Sequence, residues 1–254
     1  MYRIYNINSF YYFEGGSHMK QFETEHYIFN YNKHSKAEAD IEEIAACQEA
    51  CFQYICNVLK VKPEFKIEYI LCDTPEEVGQ AYGDTEPCNG FTLLPNTIYA
   101  VYNDHIQCIG FHKDAHVISY TINRPDSPAI REGLAMYFDR KWWGIQNMDW
   151  TGYYLKGNLY LPVDKLLDKE TFFDADCSVT YPIMGAFTDY LISTYGIEAY
   201  MEFYRQQDVA LAMEKVFHKT PEELNHDFVS YMNLFRLDAV VEERIASLLE
   251  NYEN

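Results

Sequence analysis

The sequence predicts an α+β protein, and three observations carry that prediction. Period-two strand patterns crowd the residues up to 104, helical periodicity fills most of the remainder, and a helix bearing two histidines stands at the seam. With 254 residues, 48% of them hydrophobic, the chain is long enough to bury a sizeable core. No repeat or low-complexity linker interrupts it. Residues 24–254 are therefore read as one domain, with sheet and histidine helix over 24–122 and a helical part over 123–254. Residues 1–23 are set apart as a tail. "GGSHMK" at 15–20 resembles a cloning junction, which would make Met19 the natural start; the alternative is a native tail with a chance Ser-His-Met.

Each element has its own local reason. "HYIFNY" (26–31) alternates aromatic and β-branched residues as a strand does. "SKAEADIEEIAACQEACFQYICNVLKV" begins with Ser35 as a helix cap and spaces Ile41, Ile44, Ala45, Cys51, Phe52, Ile55 and Leu59 as one apolar face. "FKIEYILC" (65–72) alternates again. "TPEEVGQAYG" (74–83) places Thr at the cap, Pro at the first helical position and Gly83 at the stop. "NGFTLLPNTIYAVYND" (89–104) reads as two short strands about a Leu-Pro-Asn turn. Residues 109–122 form the histidine helix, and "RPDSPAIREGLAMYFDRKWWG" supplies a Pro-Ser-capped loop and a second helix. "YPIMGAFTDYLISTYG", "IEAYMEFYRQ", "ALAMEKVF" and "TPEELNHDFVSYMNLF" complete a helical second half.

Charge and composition exclude several partners. A net charge of −19 repels a phosphate backbone and an anionic membrane face, so nucleic acid is not expected as a partner. No run approaches the ~20 apolar residues of a transmembrane helix, and the first residues lack the pattern of a secretory signal. The expectation is a soluble, cytoplasmic protein. Seven scattered cysteines do not resemble a disulfide framework and fit a reducing compartment. Acidic clusters such as "EADIEE" read as solvated helix faces.

The chemistry gathers in two strings. In "FHKDAH", His112 and His116 are four apart and share a helical face, so both imidazoles can reach one tetrahedral metal. Glu132 comes sixteen residues after His116, in "REGLAMYF", where Leu134, Ala135 and Phe138 face a core. Two packed helices with a Pro-rich turn between them would bring that carboxylate up to the histidines. Two imidazoles and a carboxylate, with a fourth position open, form a catalytic rather than a structural zinc arrangement. The competing reading makes Glu132 an acid favoured near a helix N-terminus and Gly133 a packing glycine.

"HKDAH", "IREGLAMYFD", "YPIMGAFTDYLISTYG" and "TPEELNHDFVSYM" together resemble the gluzincin-type zinc peptidases of the MA clan, particularly the small bacterial peptidase-MA-like domains, over roughly residues 24–235. The resemblance implies a zincin-like fold, Zn²⁺ as cofactor, a peptide or protein substrate, and His112, His116 and Glu132 as ligands. It also implies that Tyr181 steadies the oxyanion and that the strand around "TIYAVYN" is an edge to which an extended peptide adds itself.

The departure is Lys113, which stands where the HExxH pattern keeps its general-base glutamate. An ammonium cannot accept a proton from water, and a neutral amine there requires a pKa depressed by the metal. Asp114 points about 200° from His112 and about 160° from His116, off the metal face. Four readings are open: a zinc peptidase slowed by its missing base, an inactive pseudopeptidase that binds peptides or proteins, an active parent in which Lys113 was introduced, and a metal-free scaffold with two core histidines. Trp142, Trp143, Trp150, Tyr153 and Tyr154 either floor a cleft or fill the interface between the two halves.

Overall fold

Five strands build one mixed sheet in the order β1-β2-β3-β5-β4, from β1 (Met19–Glu23), β2 (Tyr27–Asn32), β3 (Ile67–Cys72), β4 (Gly90–Leu93) and β5 (Thr97–Val101). The inner three run parallel, and each edge strand is antiparallel to its neighbour. Parallel neighbours need a crossover. Helices α1 (Lys36–Leu59) and α2 (Pro75–Tyr82) lie in the two connections. The computed structural model describes residues 19–83 and 86–252; the aromatic tail and the part of the suspected junction up to His18 fall outside the described residues. Among the described residues, no helix is long and apolar enough to cross a membrane.

The chain divides into two compact units: a sheet unit of the residues up to Glu49 with Phe65–Ile109, and a helical unit of Ala50–Glu64 with everything from Gly110. The boundary thus falls ahead of the histidine helix instead of at 122/123, and α1 contributes residues to both units. Within the sheet unit, alternation on β2 and β3 buries Tyr27, Phe29, Ile67 and Tyr69 completely. The fully buried Gln48 of α1 ties these aromatics down: its amide donates to Tyr69 Oη at 2.9 Å, and Tyr27 Oη donates to its carbonyl at 3.0 Å. Ser35 and Thr74 cap the helices that the sequence assigns to them. Ser35 Oγ accepts from Glu38 N, Thr74 Oγ1 from Glu77 N, and Thr220 and Glu223 form a reciprocal capping box.

Two expectations are corrected here. The strand around "TIYAVYN" is not an edge, because β5 pairs with β3 on one side and with β4 on the other. The chain folds back through Leu94-Pro95-Asn96 and covers it with Gly90–Leu93. Met19–Glu23, assigned to the tail, is a strand paired with β2, and Lys66 Nζ lies 2.7 Å from Glu23 Oε1. Only Phe22 of that strand is even half-buried, so backbone pairing holds a segment that has no apolar alternation to announce it.

The helical unit contains α3 (Phe111–Ser119), α4 (Pro128–Asp139), a ribbon of β6 (Lys141–Trp142) and β7 (Ile145–Gln146), then α5 (Asn147–Lys156), α6 (Val163–Leu166), α7 (Lys169–Asp174), α8 (Cys177–Tyr195), α9 (Ile197–Tyr204), α10 (Val209–Phe217), α11 (Pro221–Met232) and α12 (Ala239–Tyr252). Its centre is the pair α4 and α8, pressed together through glycines. A Cβ on Gly133 would meet Thr188 Oγ1 at 2.7 Å, and one on Gly185 would meet Met136 Cβ at 2.7 Å and Asn147 Nδ2 at 2.5 Å. Pro182 inside α8 has no N–H for the carbonyl of Ser178. The hydroxyl of buried Tyr154 donates to that carbonyl instead, at 2.9 Å.

Gly185→Ala forces backbone or core side chains apart, and it should cost about 1–3 kcal/mol. Urea denaturation of the variant measures this; unchanged stability would mean that α4 and α8 do not approach so closely.

Candidate metal site

The turn between α3 and α4 is fixed at several points. Asn123 Nδ2 donates to the carbonyl of Tyr204 at 2.9 Å, Tyr204 Oη to Ser119 Oγ at 3.1 Å, and Arg131 to the carbonyls of Pro125 and Asp126. Ser127 sits at the cap position, but its hydroxyl donates to Leu167 O rather than capping α4, and Pro128 opens the helix. These ties orient Glu132, one turn into α4, toward the face of α3 that carries the histidines.

His112 Nε2 and His116 Nε2 each lie 3.2 Å from Glu132 Oε2. A tetrahedral ion bonded to imidazole nitrogen and carboxylate oxygen at about 2.0–2.1 Å sets its donors about 3.3–3.4 Å apart. The two nitrogen–oxygen separations therefore match one small ion, the three ligand atoms lie within 4.8 Å of one another, and the group could hold a metal. Among the described residues, no other trio of His, Cys, Asp or Glu brings its ligand atoms together in this way.

The outer nitrogens are also engaged. His112 Nδ1 lies 3.0 Å from Asp139 Oδ2, and His116 Nδ1 lies 3.2 Å from Tyr120 Oη. Partners of this kind fix ring orientation and set which nitrogen is free to bind a metal. Sequence reasoning missed both, although the signals were present. Asp139 is seven residues after Glu132, so it returns to the same face of α4, and Tyr120 is four after His116.

Electrostatics makes these groups one coupled system. Burial opposes charge on His112, but hydrogen bonds to Asp139 and Glu132 outweigh it and raise the imidazole to about 9. Burial dominates at His116 and lowers its pKa. Burial also opposes charge on Glu132, but the two imidazoles outweigh it and hold the carboxyl well below its usual range. In the metal-free protein at neutral pH, His112 is thus an imidazolium, His116 is neutral and Glu132 is ionised.

The other expected residues divide. Tyr181, on α8, stacks on His112 with ring centroids 6.1 Å apart, and Trp142 and Phe172 pack on its other sides. Burial first, then the Glu132 charge, raises its phenol, so the hydroxyl stays protonated. Lys113 is half-buried, and its charge disfavours protonation of both histidines. Asp114 is fully buried and takes no part in the trio; its charge acts on Cys56, whose thiol is pushed up to about 11 by burial first and Asp114 second. Of the aromatic run, Trp150 and Tyr154 are core residues, while Trp142 borders the site through Tyr181.

The chain matches no protein-family model, and no curated protein matches its sequence.

The geometry makes metal uptake a proton-coupled event. Metal must displace a proton from His112 while His116 only exchanges tautomers. Because the His112 pKa is raised, that proton is present below about pH 9, so binding at pH 7 should release about one proton and affinity should rise with pH up to about 9. Calorimetry in buffers of different ionisation enthalpy measures the release; metal uptake without it would contradict the assignment. Asp139→Asn should weaken metal binding about 10- to 100-fold while leaving the fold intact, read by competition with a chromogenic chelator.

Proposed function

We propose that the chain is a zinc-binding, gluzincin-type peptidase-like domain that engages peptides at His112, His116 and Glu132. The observation that supports this most is the convergence of both Nε2 atoms on one Glu132 oxygen at 3.2 Å, with both outer nitrogens held. Two imidazoles and a carboxylate suit zinc, as they suit other first-row divalent ions, and zinc is proposed here from the resemblance to gluzincins. When bound, zinc supplies Lewis acidity that polarises a carbonyl oxygen and acidifies water.

The chain's own residues divide the remaining work. Asp139 and Tyr120 hold the imidazole rings. The Tyr181 hydroxyl, kept protonated beside Glu132, is a donor for an oxyanion developing on a substrate carbonyl. Lys113 cannot take the proton that a glutamate at this place would take. Losing a positioned general base costs about 10²- to 10⁴-fold in rate, so hydrolysis by this chain is slow. The same lysine favours a second reading, in which the domain binds peptides or proteins without cleaving them.

Chelator-sensitive peptide hydrolysis tests the choice between them. The chain as it stands should show weak cleavage abolished by chelator, and Lys113→Glu should raise it about 10²- to 10⁴-fold. A Lys113→Glu protein that holds metal yet cleaves nothing in broad peptide mixtures would leave the binding-module reading in its place.

A further inference from the structure

The chain carries a net charge of −19, but its acidity is not spread evenly. Residues 110–146, which contain the trio, hold five Lys and Arg against four Asp and Glu. Three of those four acids are committed: Asp114 is fully buried, and Glu132 and Asp139 are bonded to the histidines. Only Asp126 is an exposed acid here, while Arg124, Arg140 and Lys141 are exposed bases.

One of the cations is next to a histidine of the trio in the chain, and another reaches it through Tyr120. Lys113 lies between the histidines on α3, about 100° round from His112 and about 60° from His116, so it flanks the face that both present. Its charge reaches both rings, and among the described residues its ammonium enters no ion pair. Arg124 is laid over the Tyr120 ring, 5.5 Å from its centroid, and the hydroxyl of that same tyrosine holds His116 Nδ1 at 3.2 Å. An unpaired ammonium and a stacked guanidinium beside a cation-binding trio leave positive charge uncompensated. An anionic ligand group supplies the compensation and gains charge-assisted hydrogen bonds.

We propose that Lys113 and Arg124 anchor a carboxylate of the bound peptide, either its C-terminus or an Asp or Glu side chain, next to His112, His116 and Glu132. The inference rests on the reading of this cluster as a peptide site, and it gives Lys113 a positive role: the residue that replaces a base selects acidic ligands. It makes carboxylate binding salt-sensitive, since the anchors lie at a partly exposed rim.

The test uses the full chain, immobilised, and an equimolar pool of hexapeptides. Each peptide is made as C-terminal acid and as C-terminal amide, with and without an Asp. Retained peptides are quantified by mass spectrometry, and the metal content of the same protein is measured separately. Carboxylate-bearing forms should be retained about tenfold more than their neutral counterparts. The acid/amide and Asp arms tell which carboxylate is held. Lys113→Gln should erase the enrichment with metal content unchanged, and Lys113→Arg should keep it. Equal retention of charged and neutral forms, enrichment that survives Lys113→Gln, or retention of no peptide overturns the proposal. A protein without metal that still shows Lys113-dependent enrichment keeps the anchor and removes the zinc reading instead.

Discussion

Glu132 is an ionised carboxylate held partly buried, and its charge persists there because two imidazoles face one of its oxygens at 3.2 Å. Burying such a charge without partners costs several kcal/mol. The neighbouring structure is organised around meeting that cost: the tied turn at Asn123 and Arg131 that orients α4, the glycines that let α8 press against it, and Asp139 and Tyr120 behind the rings. The same arrangement sets each nitrogen at a distance from the oxygen that matches a small divalent ion. A site that satisfies an internal charge in this way could also hold a metal ion, with a proton leaving His112 and a tautomer exchanging on His116.

Much of this was legible in the sequence, because the signals were local. The four-residue step from His112 to His116 fixes a shared face, Ser35, Thr74 and Thr220 mark helix starts, and alternation in "FKIEYILC" marks a buried strand. What was not legible depended on pairing partners. β1 has no hydrophobic pattern because its stability comes from backbone bonds to β2, and β5 is no edge because the strand before the Leu-Pro-Asn turn folds back onto it, a pairing that the two-strand reading of "NGFTLLPNTIYAVYND" already implied. The Ser178 carbonyl freed by Pro182 and satisfied by Tyr154 is of the same kind, a local defect repaired from 24 residues away. Asp139 is different: its seven-residue step from Glu132 is readable, and a search for ligands alone passes over it.

Lys113 gives the site its particular character. In a chain with almost twice as many acids as bases, a cation that enters no ion pair among the described residues, next to a candidate metal trio, is a marked local choice. On the proposed reading it stands where a proton acceptor would be needed for fast hydrolysis, and it supplies a positive charge that an acidic peptide would use. Slow turnover and selective binding would then be two consequences of one side chain, and Trp142 and Phe172 pack around the neighbouring Tyr181.

The metal content of the chain tests this account most directly. Protein purified without chelator and offered zinc should hold about one ion per chain, with X-ray absorption reporting two imidazole nitrogens and a carboxylate oxygen at about 2.0–2.2 Å, and Glu132→Ala should lose it. A chain that takes up no metal, or a Glu132→Ala variant that retains it in full, would contradict the assignment of these three residues as a metal site.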